Sequence, residues 1–98
     1  MERVVLDPYV IDSLMPDLVG HDRRPSAYIV YLYLWRRTRA ATRGATASYQ
    51  MIADGTGLSK GSAQTAVGWL AQRRLIEVKR RTPTSALSFT LLCHWRER

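Results

Sequence analysis

SYQMIADGTGLSKGSAQTAVGWLAQRRLI, Ser48 to Ile76, reads as two short helices joined by a glycine-bearing turn, and the rest of the chain is placed relative to it. Ser48 is a helix N-cap: its hydroxyl can accept a hydrogen bond from a first-turn N–H that has no partner within the helix. Ile52 and Ala53 follow where an inward face falls. Gly55-Thr56-Gly57 is expected to stop this helix, because glycine alone takes positive φ without steric cost. Leu58 then supplies an apolar plug and Ser59 caps the next helix. From Lys60 onward, Ala63, Ala66, Val67 and Leu70 recur at spacings of three and four, so one stripe faces inward.

The outward set is Lys60, Gly61, Gln64, Thr65 and Gly68, which is small, polar and free of acids. Such a face can approach another surface closely, and Lys60, Gln64 and Thr65 offer the donors and acceptors that base edges and phosphates require. The run IADGTGLSKGSAQTAVGWLAQRRLIEV, residues 52–78, resembles the helix-turn-helix of winged-helix regulators of prokaryotic, MarR-like type. Ala53 and Gly57 match the small residue and turn glycine of that pattern, and Leu75-Ile76 matches the start of the strand after the recognition helix. Two features depart from it. Arg74 stands where the family usually has glycine, so it must enter the left-handed region at about 1–2 kcal/mol or the helix must close differently. Gly61 and Gly68 lie inside the recognition helix, each at a cost of roughly 1 kcal/mol against alanine. Either a partner approaches closely there or the glycines are neutral.

With 98 residues and 46% hydrophobic content, the chain has the size and apolar fraction of one compact globular domain. The longest apolar run, Ala27 to Trp35, is about half of what a membrane span needs, and no signal peptide is evident, so a cytoplasmic protein is expected. A lone cysteine, Cys93, excludes an internal disulfide and a cysteine cage for metal; neither metal nor cofactor is expected. No nucleophile elbow, phosphate-cradling loop or carboxylate pair beside a histidine is present, so no enzymatic reaction is assigned.

Charge is the informative bulk property. The net is +7 with a sequence pI near 10.3, but residues 1–22 hold Glu2, Asp7, Asp12, Asp17 and Asp22 against Arg3 alone. That segment is therefore −4 and the remainder +11. A domain with this balance collects polyanions by counterion release, which favours nucleic acid as partner over generic solubility charge.

Asp7-Pro8 reads as a carboxylate cap and a proline at the first helical position. Val10, Ile11, Leu14, Leu18 and Val19 continue a helical stripe that Pro16 is expected to kink or break. A second helix opens at Pro25-Ser26 and runs through AYIVYLYLWRRTR. It is apolar or aromatic on every side from Ala27 to Trp35, so the amino-terminal helix is expected to cover one part and a second subunit the rest. The predicted dimer contact is Val10, Ile11, Leu14 and Leu18 against Tyr28, Tyr31 and Trp35. Arg36, Arg37 and Arg39 suit the helix C-terminus as caps. Ala45-Thr46-Ala47 is expected to add a short strand.

After the recognition helix, Ile76, Val78, Leu87, Phe89 and Leu91 alternate with polar residues, the period of half-buried strands, and Arg80 to Ser85 reads as the turn between them. In the winged-helix family such a hairpin is the wing. Trp95 is expected against the first helices or a partner subunit. Trp69 fits either beneath the wing or at the edge of the contact face.

The fold class that follows is mainly α with a small β-hairpin (α+β), a winged helix-turn-helix over residues 23–98 with a helical, dimerising extension over residues 1–22. The resemblance covers about residues 25–92 and implies sequence-specific binding of double-stranded DNA by a homodimeric transcriptional regulator. The residues it implies for DNA contact are Ser59, Lys60, Ser62, Gln64, Thr65 and Gly68 on the helix and Lys79, Arg80 and Arg81 on the wing. A protein-interaction module and a part of a replication-initiator system are the rival expectations. The first predicts salt-insensitive binding to a protein, and the second would want a second winged domain. A small-molecule effector is unknown, and its room would be between the aromatic helix and the amino-terminal segment.

Overall fold

The computed structural model describes residues 2–80 and 87–96. Three helices and a three-stranded antiparallel sheet follow an amino-terminal helix: α1 Pro25–Arg37, β1 Ala45–Ala47, α2 Tyr49–Thr56, α3 Lys60–Gln72, β2 Ile76–Arg80 and β3 Leu87–Leu91. The strand order is β1-β3-β2, with Ala45 opposite Phe89 and Val78 opposite Phe89 on its other side. This is a winged helix-turn-helix of the α+β class. The turn expected from Arg80 to Ser85 lies, beyond Arg80, outside the described residues, and so does Arg81.

Local chemistry accounts for the element boundaries. Ser48 Oγ accepts the Met51 N–H at 3.1 Å and Ser59 Oγ accepts the Ser62 N–H at 3.0 Å, so each helix of the pair begins on a serine cap. Gly57, at φ 80°, ends α2. Gly55 does not contribute to that stop, contrary to the sequence expectation. It sits inside the helix where the Tyr33 ring of α1 lies flush against the backbone, and a Cβ there would collide with the ring. Arg74 takes the strained alternative, at φ 58°. Its N–H bonds Ala71 O at 3.0 Å and the Leu75 N–H bonds Leu70 O at 3.0 Å, a complete Schellman closure with arginine in the glycine position.

The amino-terminal helix differs from expectation at both ends of the Pro16 question. Val10–Leu14 and Pro16–His21 are wound with bonds reaching five residues back, as in Met15 N–H to Val10 O and Asp22 N–H to Asp17 O. Pro16 stands at the first position of the second segment, where its missing N–H is tolerated, so the chain stays helical through it. Asp7 does not cap this helix by its side chain. Its carboxylate accepts instead from Trp95 Nε1 at 2.8 Å and Arg96 Nε at 2.6 Å.

Helix α1 is the axis of the core, packed on α3, α2, β3 and the amino-terminal helix. Most of the apolar surplus on α1 is covered by the chain itself, Ile29 staying 40% exposed. Val10, Leu14, Leu18, Tyr28, Tyr31 and Trp35 are each at most 5% exposed, which withdraws all six from the predicted dimer contact. The reason is geometric: the amino-terminal helix lies along α1, where Tyr28 Oη donates to Val10 O at 2.9 Å and Trp35 Nε1 to Val5 O at 2.8 Å. The carboxy-terminal turn His94–Arg96 closes the remaining side, with Trp95 stacked on Tyr9 at 4.4 Å and near-parallel to Trp35 at 6.5 Å. Of the predicted contact set only Ile11 remains exposed.

Candidate nucleic-acid interface

Helix α3 divides cleanly into two faces. Ala63, Ala66, Val67 and Leu70 are buried, while Lys60, Gly61, Gln64, Thr65 and Gly68 are all exposed. The predicted contact set is therefore gathered on one side of one helix. Ser59 and Ser62 lie at its start, where the Ser59 hydroxyl accepts the Ser62 N–H and donates to Ser62 Oγ at 3.0 Å. Those two hydroxyls hold the helix terminus, and Lys60 projects beside N–H groups that carry the positive end of the helix dipole. Among the described residues, and apart from the helix's own backbone and the adjoining residues, nothing lies within 4 Å of a Cβ built at Gly61 or Gly68. The described residues make no demand for glycine at either position.

On the hairpin, Lys79 and Arg80 are exposed. Lys79 Nζ stands 3.8 Å from Glu77, a loose surface pair worth little. Register puts Lys79 opposite Ser88 and Ser88 opposite Thr46, so these three side chains share the outer face of the sheet, while Val78, Phe89 and Ala45 share the inner one.

What holds α3 in place was not visible in its own sequence. Trp69, half-buried, is tied to the amino-terminal segment. Its Nε1 donates to Asp22 Oδ2 at 2.9 Å, and the Arg24 guanidinium lies 4.3 Å from the ring centre. One turn on, Arg73 bridges Asp17, at 2.6 Å, and Asp22. The His21, Trp69 and Arg73 contacts hold the Asp22 carboxyl below the usual carboxylate range, with the His21 contact the largest cause. Asp17, His21 and Asp22 bring their ligand atoms within 4.8 Å of one another, but an arginine and an indole already take both carboxylates. The signal for this anchor was the acidic excess of residues 1–22.

Two remaining expectations concern small groups. Burial pushes the Cys93 thiol up, which makes it a poor nucleophile at neutral pH. Between the aromatic helix and residues 2–5 lies a cavity of about 220 Å³, bordered by Val4, Val5, Trp35 and Arg39. No helix among the described residues is long and apolar enough to cross a membrane.

An exposed polar helix presented by a capped helix pair, with a hairpin beside it, defines a DNA-binding module of the winged helix-turn-helix class. A helix-turn-helix domain family model matches residues 24–76, more than half of the chain, and the protein belongs to that family. The matched stretch runs from the Arg24 that covers Trp69 to the first residue of β2 and leaves out the amino-terminal helix and β3. Searches of curated proteins and of solved structures returned no match.

Proposed function

We propose that this chain reads specific sequences in double-stranded DNA and serves as a small homodimeric transcriptional regulator of prokaryotic, MarR-like type. The observation that carries the proposal is the outward face of α3. Lys60 stands uncovered just before Gly61, and Gln64 and Thr65 stand uncovered between Gly61 and Gly68, two glycines that the described residues do not require, on a helix whose other face is in the core. Gln64 suits bidentate contact with adenine, Lys60 suits a guanine edge or a phosphate, and the glycines let the helix backbone lie close to the groove floor. Lys79 and Arg80 then serve as positioning contacts to the phosphates.

The dimer contact must use a surface other than the buried set. Ile11, Met15 and Val19, 37–40% exposed, are spaced by four on a helix wound more slowly than an α-helix, so they form one stripe. A second copy is the occupant that charge favours. Asp7, Asp17 and Asp22 along this helix are paired with arginines and Asp12 is exposed beside Ile11, so the helix carries none of the unpaired positive charge of a protein otherwise strongly basic. Two copies can meet there without opposing their positive faces.

The test is a fluorescence-anisotropy titration with duplex DNA. Neutralising ~6–10 phosphates per dimer is expected to cost roughly 10³-fold in affinity between about 50 and 200 mM salt. A flat salt response overturns the DNA reading in favour of a protein-docking module. Gln64→Ala is expected to relax preference at one or two base pairs by about 1–3 kcal/mol, whereas Arg80→Ala weakens all sequences alike. Sedimentation at micromolar concentration tests the dimer: Met15→Asp should give a folded monomer, and a wild-type chain that is already monomeric there removes the dimer.

A further inference from the structure

A second concentration of positive charge lies at the far end of α1, outside the helix-turn-helix. Arg36, Arg37, Arg39 and Arg43 fall within eight consecutive residues. The helix dipole accounts for Arg36 and Arg37 in the last turn, but not for Arg39 and Arg43, which lie beyond it. Arg36 meets Glu2 at 2.6 Å in an exposed pair, while Arg39 and Arg43 make no ion pair among the described residues. Arg37 is held by its donation to Thr46 O at 3.0 Å and lies 5.7 Å from the centre of the Tyr33 ring. Its buried Nε has no partner among the described residues.

The backbone between these arginines is strained. Arg39, Ala40 and Ala41 are all left-handed, at φ 50°, 56° and 63°, each at a cost of roughly 1–2 kcal/mol for a residue with a side chain. The buried Thr38 steadies the turn by donating to Leu34 O at 2.8 Å and accepting the Ala41 N–H at 3.2 Å. The consequence is a reversal that returns Arg43 to the side of Arg36 and Arg37. Together with Tyr33, Arg39 and the Glu2 that pairs with Arg36, these residues line a groove of about 480 Å³, in which four arginines outnumber the one carboxylate. A second groove of about 430 Å³ adjoins it, sharing Arg37 and Arg43 and bounded by Thr46 and Ser88.

Thr46 and Ser88 belong to the outer row of the sheet that starts at Lys79. With strands about 4.8 Å apart, the row crosses roughly 10 Å from the hairpin to the arginines, about three base-pair steps of duplex at about 3.4 Å each. We propose that this row and the arginine groove form a second seat for the sugar-phosphate backbone of DNA, continuous with the hairpin. The proposal rests on the DNA reading above and extends the surface over which the duplex is held. Arginine forks suit phosphate oxygens bidentately. An acidic protein partner would be expected to bring an apolar anchor, yet none of the exposed large apolar side chains lies in either groove.

The experiment compares wild type, the double variant Arg39→Gln with Arg43→Gln, and Thr46→Glu, titrated with mixed-sequence duplex DNA over a salt series. Circular dichroism melts confirm folding, and Thr46→Glu reaches the same surface with every arginine in place. The double variant is expected to lower the salt slope by about 2 and to bind roughly ten-fold more weakly on every sequence. Thr46→Glu should weaken binding in the same sequence-independent way. Wild-type binding with a steep slope that neither variant changes overturns the second seat and leaves the DNA reading standing. A wild type that binds no duplex at all removes both. Loss of polyglutamate binding in the double variant with DNA binding intact would assign the groove to acidic protein instead.

Discussion

The amino-terminal segment and the recognition side of the molecule use charge in opposite ways. Along the first, Glu2, Asp7, Asp17 and Asp22 each meet an arginine of the body: Arg36, Arg96 and, for the last two, Arg73. Along the second, Lys60 and Arg80 have no ion-pair partner among the described residues, and Lys79 has only the loose Glu77 contact. The difference shows that the acids are not a general moderation of a basic protein. Asp7, Asp17 and Asp22 engage the cations that fasten the scaffold, Glu2 meets Arg36 only in an exposed pair, and Lys60 and Arg80 are left without a partner among the described residues. The pairs also differ among themselves. Asp22, whose side chain is only 5% exposed, joins a network with Trp69 and Arg73, whereas the Glu2 and Arg36 side chains are both at least half exposed, so their pair contributes little.

The comparison can be broken most severely in the apolar seam beneath those ion pairs. Leu18 is fully buried between the amino-terminal helix and the core, and Leu18→Ala is expected to cost about 2–5 kcal/mol. A thermal melt should show a fall of about 8 °C or more, on the order of 4–8 °C per kcal/mol for a domain of this size. A shift of a degree or two would mean that the segment is not integral to the core.

Arg73→Ala addresses the charge itself. Asp22 keeps Trp69 but loses its guanidinium, and about 1–3 kcal/mol of stability is expected to go with it. Arg39→Gln, on the unpaired side, should change stability by less than about 0.5 kcal/mol. Equal losses in urea titrations of the two variants would erase the distinction between engaged and free arginines.

Acid sharpens the same contrast. Asp7 and Asp22 both have carboxyls held below their ordinary value, Asp7 chiefly by its Arg96 bond and Asp22 chiefly by its His21 contact. The folded state therefore favours their charged forms. The stability they add is complete above the unfolded carboxylate pKa near about 3.9 and is lost as pH falls through the lower folded values. Tryptophan fluorescence should report loosening of the amino-terminal segment around Trp69 and Trp95 below about pH 4. No such change should appear between about pH 5 and 8 from these two groups.

The smallest effect is expected on the recognition face. Gly68→Ala should raise stability by about 0.5–1 kcal/mol, since helix propensity improves and the added methyl meets nothing. DNA affinity should fall in the same variant where the helix lies close to the duplex. A stability gain with affinity unchanged would identify the glycine as neutral.

Much of the fold was legible in the sequence, because it is written in local, short-range chemistry. Serine caps at Ser48 and Ser59, the stop at Gly57, the three-and-four spacing of α3 and the two-residue alternation of β2 and β3 each act within a few residues, and each is present. Even the alternatives left open at Arg74 followed from sterics, and the left-handed one is adopted. The polar face of α3 was legible for the same reason: helical period alone decides which side a residue occupies.

Tertiary structure decided the rest, and in each case the deciding group is distant in the chain. The surplus apolar surface of α1 pointed outward to a second subunit, yet residues 5–18 and 95 cover much of it from within. Gly55 looked like a helix stop until the Tyr33 ring was placed on it. Trp69 had no assignable side until Asp22, 47 positions away, took its N–H. Composition shows that five acids precede a basic domain, but that four of them engage arginines, and which arginines these are, depends on three-dimensional proximity. That pairing determines which positive charges remain for a partner.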